Sequence, residues 1–328
     1  MQHRTLGRTG RNVSVIGLGT WQLGADWGQV SESDARAVLD ASRAAGVTFF
    51  DTADVYGDGR SESIIGSWLR DNPDAGVTVA TKMGRRAEQL PENFVAENFR
   101  AWTDRSRRNL GVDTLDLVQL HCPPTAVFSN DEMFDALDAL VDSGAIANYG
   151  VSVETVDEAL AAIARPHVAS VQIIINAFRL KPLDAVLPAA AEAGVGIIAR
   201  VPLASGLLSG RYTHDTAFPA DDHRNFNRHG EAFDQGETFS GVDYAEGVEA
   251  AREFSALAEK AGLAPATAAL AWVAQLPGVS TVIPGARNVA QAEANAAAGS
   301  VPELGEEFTQ AIRELYDRRF RAAIHDRW

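Results

Sequence analysis

Apolar residues along this chain gather in short continuous runs rather than in strict alternation. Runs near 13–19, 47–51, 77–82, 115–121, 145–151, 169–175, 196–201 and 279–284 predict eight strands buried on both faces. Between them the apolar spacing changes to a helical period. Helices are predicted to begin near Ser31, Ser61, Glu92, Asp131, Glu154 and Leu183, and later ones to cover 245–262, 265–276 and 288–298. Ser31 followed by Asp34 has the form of an N-cap with an acidic first turn, and Ala44-Ala45-Gly46 and Ala193-Gly194 read as helix ends stopped by glycine. Turn signals at Leu6-Gly7 and Thr9-Gly10 make the opening segment a short hairpin.

Eight strands alternating with helices predict an α/β protein, a (β/α)8 TIM barrel with a short N-terminal hairpin and a long loop after strand 7. Residues 1–328 are read as one domain, since barrels of this kind exceed the usual domain length as a single unit. The alternative is an open doubly wound sheet. Against it, Gly17-Leu18-Gly19-Thr20-Trp21 lacks the third glycine of the dinucleotide fingerprint, and the first helix starts only near Ser31. The segment 203–246 breaks the pattern, with weak periodicity and many Gly, Pro, Asp and Asn residues. Placed after the seventh strand, it is expected to overhang the active face. His214, His223 and His229 lie in it without metal-ligand spacing, so they are read as solvated and no metal is expected.

Composition narrows the function. Hydrophobic residues make up 46% and charged residues 22%, a globular balance. No apolar run of about 18 residues occurs, and no apolar signal region follows Met1-Gln2-His3-Arg4, so the expected location is the cytoplasm, with no membrane partner. A net charge of −15 without a basic stripe speaks against nucleic acid. The single cysteine, Cys122, excludes an intramolecular disulfide; it is read as a small buried residue in preference to a nucleophile. Only three of the 29 lysines and arginines are lysines: Lys82, Lys181 and Lys260. A chain that writes arginine nearly everywhere still keeps a compact ammonium at one strand end, Lys82.

That strand end has company. Asp51-Thr52-Ala53-Asp54-Val55-Tyr56-Gly57 closes the second strand with a carboxylate and then a tyrosine, and His121 ends the fourth. Barrel enzymes place their chemistry at the C-terminal ends of strands, so Asp51, Tyr56, Lys82 and His121 should meet at one rim. A phenol with a pKa of about 10 is a poor acid at neutral pH unless a cation sits beside it, which gives Lys82 a purpose.

These residues resemble the aldo-keto reductase superfamily, NAD(P)H-dependent barrel oxidoreductases, over nearly the whole chain. The resemblance runs through Arg4-Thr5-Leu6-Gly7, Gly17-Leu18-Gly19-Thr20-Trp21, Phe50-Asp51-Thr52-Ala53 with Tyr56-Gly57, Lys82, Asp116-Leu117 leading to His121, Gly150-Val151-Ser152, Pro202 to Gly210, and Ile283-Pro284-Gly285-Ala286-Arg287. It implies reduction of an aldehyde or ketone to an alcohol, with Asp51, Tyr56, Lys82 and His121 as the catalytic tetrad. Tyr56 would supply the proton, Lys82 lower its pKa, Asp51 hold Lys82, and His121 orient the carbonyl. Substrate contacts fall on Trp21, Tyr56 and His121. Trp21 and Trp27, large rings after the first strand, could wall a substrate pocket, with a core role as the alternative for Trp21 and the favoured reading for Trp27; Phe128 and Phe226 are weaker candidates.

The resemblance also implies NADPH or NADP as cofactor, with NADH as the alternative. Gly19, Thr20, Trp21 and Asp51 would border it, and Ser152 and Gln172 would bind the nicotinamide carboxamide. Arg200, Val201, Pro202, Leu203, Ser205, Gly206, Leu208 and Gly210 would follow its length. Ile283, Gly285, Arg287, Gln291 and Asn295 would hold the adenosine end at a helix start. Three positions depart from the pattern. Val153 replaces a frequent asparagine, Arg200 stands where an aromatic ring often stacks on the nicotinamide, and Gly285 and Ala286 replace a lysine and a serine that grip the 2′-phosphate. NADP preference would then rest on Arg287, and Arg200 would repel the oxidised ring and bias binding to the reduced cofactor. The same residues serve an NAD(P)-dependent alcohol or sugar dehydrogenase running oxidatively. A non-catalytic cofactor-sensing subunit, or a phosphate-binding isomerase or lyase, are the competing classes.

Overall fold

The computed structural model describes residues 1–24 and 30–328; Trp27 lies outside the described residues. A hairpin, β1 (His3–Thr5) and β2 (Asn12–Ser14), pairs antiparallel with His3 opposite Ser14. Eight parallel strands follow: β3 (Leu18–Gly19), β4 (Phe49–Asp51), β5 (Thr78–Met83), β6 (Leu117–His121), β7 (Tyr149–Ser152), β8 (Val168–Ile174), β9 (Gly196–Arg200) and β10 (Val279–Val282). They lie side by side in chain order, and parallel bridges Ile16–Val282 and Gly19–Gly285 join the first to the last. The result is the (β/α)8 barrel, with helices outside and the hairpin across its N-terminal mouth. Arg4 fixes that hairpin by donating to the carbonyl of Val279 at 2.6 Å.

The two-residue period of the strands sorts the barrel interior into layers. Phe49, Ala80, Leu117 and Ile198 form an apolar floor together with Leu6 and Val13 from the hairpin region. Two residues further along, the same strands carry Asp51, Lys82 and Gln119, all buried. An apolar plug below and a polar layer above is what gives the C-terminal rim its chemistry.

Helix ends follow the expected signals. Ser31 caps helix Glu32–Ala44 by accepting from the Asp34 N–H, and Thr155 with Glu158 forms a complete capping box on helix Val156–Ile163. The helix expected from Glu92 begins later, at Ala96, because Pro91 starts a separate 3-10 turn and Val95 is extended. The strand expected from 145 becomes regular only at Tyr149. Helix Gly305–Arg319 has no counterpart among the predicted elements; it buries Phe308, Ile312, Leu315 and Tyr316. Among the described residues no helix is long and apolar enough to cross a membrane.

Candidate active site

Asp51 ends β4, Lys82 lies near the end of β5 and His121 ends β6, so three adjacent strands deliver three functional groups to one rim. Tyr56 arrives on the turn after β4. Gly57 permits that turn in two ways: its φ is 58°, and a Cβ there would lie 2.1 Å from the Gly24 carbonyl oxygen. Cys122, directly after His121, and Val201, directly after β9, also hold positive φ, 50° and 52°. Strained backbone of this kind at the rim re-aims the chain as it leaves the strand.

Lys82 Nζ is the hub. It donates to Asp51 Oδ1, to the Thr52 carbonyl at 3.0 Å and, by a longer contact of 3.4 Å, to the Tyr56 hydroxyl. The other Asp51 oxygen accepts from Gln119 at 3.0 Å and Gln172 at 2.8 Å. Both amide protons of Gln172 are thereby used, the second on Gln119 Oε1 at 3.1 Å. Gln172, expected to bind a carboxamide, is first a support for Asp51, and it can meet a ligand only through its oxygen. Gln119 was absent from the expected site.

Burial raises the Tyr56 pKa, against the lowering pull of Lys82, while Asp51 and Glu237 push it further up. This corrects the expected net lowering: Lys82 acts in the expected direction, but desolvation of a buried phenolate outweighs it. Tyr56 therefore holds its proton at neutral pH. Burial works to depress Lys82, yet Asp51 and Tyr56 reverse that and leave it raised and charged. His121 is held well below its usual pKa by burial, helped by Arg85, Lys82 and Arg200, so its imidazole is neutral. Its Nδ1 has no hydrogen-bond partner among the described residues.

A cavity of about 760 Å³ opens on this group. Trp21 stacks beside Tyr56, ring centroids 5.9 Å apart, with His223 and Phe233 packed on its other sides at 5.4 and 6.0 Å. The segment 203–246 does overhang the rim, contributing Arg211, Tyr212, His223, Arg224, Phe233 and Glu237 to the wall. His223 is buried rather than solvated, because Asp222 at 3.4 Å and the aromatic cage enclose it; His229 is exposed and His214 pairs with Glu249. Phe128 belongs to the core, and Phe226 is exposed and packs on Phe233, which lines the cavity.

Most of the residues expected to hold a cofactor do line this cavity. Gly19, Thr20, Trp21, Ser152, Gln172 and Arg200 surround its inner end. Val201, Pro202, Leu203, Ser205 and Gly206 line it after β9, and Ile283, Gly285, Arg287, Gln291 and Asn295 line it after β10, with Gly285 bridged to Gly19. Leu208 and Gly210 do not line it. Leu208 is fully buried in the core and Gly210 ends a 3-10 turn; Ser209 and Arg211 face the cavity instead. Asn295 donates to the Gly285 carbonyl at 3.0 Å and Gln291 accepts from the Arg287 N–H at 2.8 Å, so this segment is shaped in advance. Arg287 also approaches Asp222 at 3.8 Å.

Arg200 is buried and bridges two carboxylates, Glu154 at 2.9 Å and Glu237 at 2.6 Å, while also donating to the Val153 carbonyl. Its charge is thus balanced. The expected repulsion of an oxidised nicotinamide by a bare guanidinium loses its physical cause. Arg85 extends the row, 3.6 Å from Glu154. Sequence reading passed over Arg85 and Glu237: the first follows Lys82 by three positions, and the second stands in a segment with no period to orient it.

Fold and site together define an α/β-barrel oxidoreductase. The chain belongs to the Aldo/keto reductase family, whose model matches residues 15–317. It is 34% identical to an uncharacterized oxidoreductase of Mycobacterium tuberculosis over 309 residues, covering 92% of this chain and 89% of the relative. It is 30% identical to a probable voltage-gated potassium channel subunit beta of Oryza sativa, covering 87% of each. Among solved structures, an aldo-keto reductase from Klebsiella pneumoniae in complex with NADPH superposes with a TM-score of 0.71 at 26% identity, over 96% of both chains.

Proposed function

We propose that this protein reduces an aldehyde or ketone to an alcohol with NADPH, the proton coming from Tyr56. The observation that carries the reading is Lys82, held by Asp51 and directed at the Tyr56 hydroxyl, with His121 packed edge-on to the same ring at 6.0 Å. The cavity suits a nicotinamide dinucleotide. Its volume falls in the range of cofactor sites, its inner end offers Ser152 and the Gln172 oxygen, and its outer end gathers Arg211, Arg224 and Arg287 for anionic groups. The Klebsiella relative binds NADPH on the same fold, which supports the choice. Bound there, the cofactor would supply the hydride.

The chain's own residues supply the rest. Neutral His121 offers one N–H to the carbonyl oxygen and so orients it. As negative charge grows on that oxygen, Tyr56 transfers its proton to it, and the buried ammonium of Lys82 stabilises the phenolate left behind. Asp51 keeps Lys82 charged and aimed, and Gln119 and Gln172 keep Asp51 in place. Trp21, His223 and Phe233 exclude water from the ring of Tyr56. Run in reverse, the same residues would oxidise an alcohol.

The test follows NADPH absorbance with a panel of aldehydes, diketones and sugars. Tyr56→Phe is expected to lower kcat by about 10²–10⁴-fold. Turnover that survives this substitution would remove Tyr56 as the proton donor. A KM for NADH below that for NADPH would overturn the cofactor preference.

A further inference from the structure

One charged group beside the reacting end of the cavity enters the chemistry above only by helping to keep His121 neutral. Arg85 follows β5 by two residues and lines the cavity next to His121. Its Nε donates to the backbone carbonyl of His121 at 3.3 Å, which sets the guanidinium beside the imidazole. Among the described residues neither of its Nη atoms makes a hydrogen bond, and its ionic neighbour Glu154 stands at 3.6 Å, beyond hydrogen-bonding reach. Its side chain is 26% exposed. The other cavity arginines are placed differently. Arg200 is engaged by Glu154 and Glu237 at 2.9 and 2.6 Å, and Arg211, Arg224 and Arg287 stand with the segments after β9 and β10.

We infer that Arg85 is a specificity-determining residue that binds a carboxylate on the substrate, so that the preferred substrates are oxo acids or aldehyde acids. The inference rests on the carbonyl-reduction reading of the same site. A guanidinium whose Nη groups make no hydrogen bond among the described residues, and whose ion pair with Glu154 is a loose 3.6 Å, can still turn two parallel donors to a planar carboxylate. Neutral His121 offers no charge to attract an anion, and the Lys82 ammonium is buried against Asp51, whereas Arg85 lines the cavity. Glu154 and Glu237 lie close by, but Arg200 already pairs with both, so Arg85 is the less fully neutralised guanidinium of the row. Substrate attraction then acts where binding and orientation meet: the carboxylate on Arg85 and the carbonyl oxygen between His121 and Tyr56 fix the molecule at two points.

The test compares 2-, 3- and 4-carboxybenzaldehyde with their methyl esters, which keep the aldehyde and the ring and lose the charge. In the wild type, kcat/KM for at least one acid should exceed that of its ester by about tenfold or more. Arg85→Gln should collapse this acid-to-ester ratio by about tenfold, chiefly through KM, and Arg85→Lys should restore part of it. A wild type that prefers the esters, or a ratio unchanged in Arg85→Gln, overturns the inference while leaving carbonyl reduction standing. If no aldehyde of either kind is reduced, the carbonyl reading itself fails. Calorimetric titration of benzoate then decides the anion site: weaker binding to Arg85→Gln than to the wild type supports it, and equal or absent binding to both overturns it.

Discussion

The side-chain amide of Gln172 donates to Asp51 Oδ2 at 2.8 Å, joining β8 to β4 through the barrel interior. Gln119 donates to the same oxygen at 3.0 Å, so two neutral amides hold a carboxylate that Lys82 holds from the other side. Hydrogen bonds to a charged group contribute about 1.5–3 kcal/mol each. Gln119→Leu is therefore expected to lower unfolding free energy by about that amount, measured from the denaturant midpoint at constant slope. Gln119→Leu and Gln172→Leu together should depart from additivity, because the two amides also bond each other at 3.1 Å. Strict additivity would mean that they act on Asp51 independently.

Lys82 has a structural and a chemical part that substitution can separate. Lys82→Met leaves Asp51 buried without its cation and should cost about 3–5 kcal/mol. Adding Asp51→Asn removes the unpaired charge, so the double variant should regain much of that stability in thermal melts. It should not regain activity. Lys82 is what works against the burial that raises the Tyr56 pKa, so in the double variant the alkaline limb of the reduction rate should move to higher pH, with a lower plateau. Recovery of rate along with stability would reduce Lys82 to a packing role.

Asp54 makes a pH prediction of the opposite kind to most carboxylates. It is fully buried, neither oxygen has a partner among the described residues, and burial, reinforced by the Glu62 charge, pushes its pKa up to about 7. A raised folded-state value favours the protonated form, so its contribution to stability is present below pH ~4 and is lost as pH rises through about 7. Asp54→Asn should therefore melt at a higher temperature than the wild type at pH 8, by the equivalent of roughly 1–4 kcal/mol. At pH 5 the difference should shrink. A difference that stays constant from pH 5 to 8 would show that Asp54 keeps its charge state across that range.

The barrel and its rim were legible because strand-end position and period 2 are local signals. Asp51, Lys82 and His121 each end or nearly end an apolar run, and Tyr56 follows at a fixed distance with Gly57 behind it. Gln119 was legible by the same rule, standing two residues after Leu117 and two before His121 on the inward face, but a neutral amide in an apolar run carries less signal than a charge. Helix Gly305–Arg319 shows its i, i+4, i+7 stripe in Phe308, Ile312 and Leu315, but it follows the last strand-linked helix and so falls outside the strand–helix alternation that makes the others legible. The wall contributed by 203–246 was not legible. Glu237 gets its place from pairing with Arg200, His223 from Asp222 and Trp21, and Phe233 from the same ring, contacts between distant segments with no periodic signature. The Tyr56 pKa failed for a related reason: Lys82 could be named from the chain, but the burial that outweighs it could not.

Arg200 and Glu237 form the last relationship that a sequence reading misjudges, and it carries a signed prediction. With Glu154 on its other side, Arg200 contributes no bare positive charge to the place where a nicotinamide ring would lie. Arg200→Leu uncovers two carboxylates and should shift relative affinity toward the cationic, oxidised cofactor. Glu237→Gln uncovers the guanidinium and should shift it toward the reduced one. At an effective dielectric of about 20, one uncompensated charge about 6–8 Å away is worth roughly 2–3 kcal/mol, so a change of about tenfold or more is expected in each direction. Arg200→Leu should also cost about 3–5 kcal/mol of stability, since it strands buried carboxylates and unties the loop that carries Glu237 from the strand end. Fluorescence titrations with NADPH and NADP on both variants check the signs, and thermal melts the stability. Shifts of the same sign in the two variants would mean that the effect comes from loop displacement and not from charge.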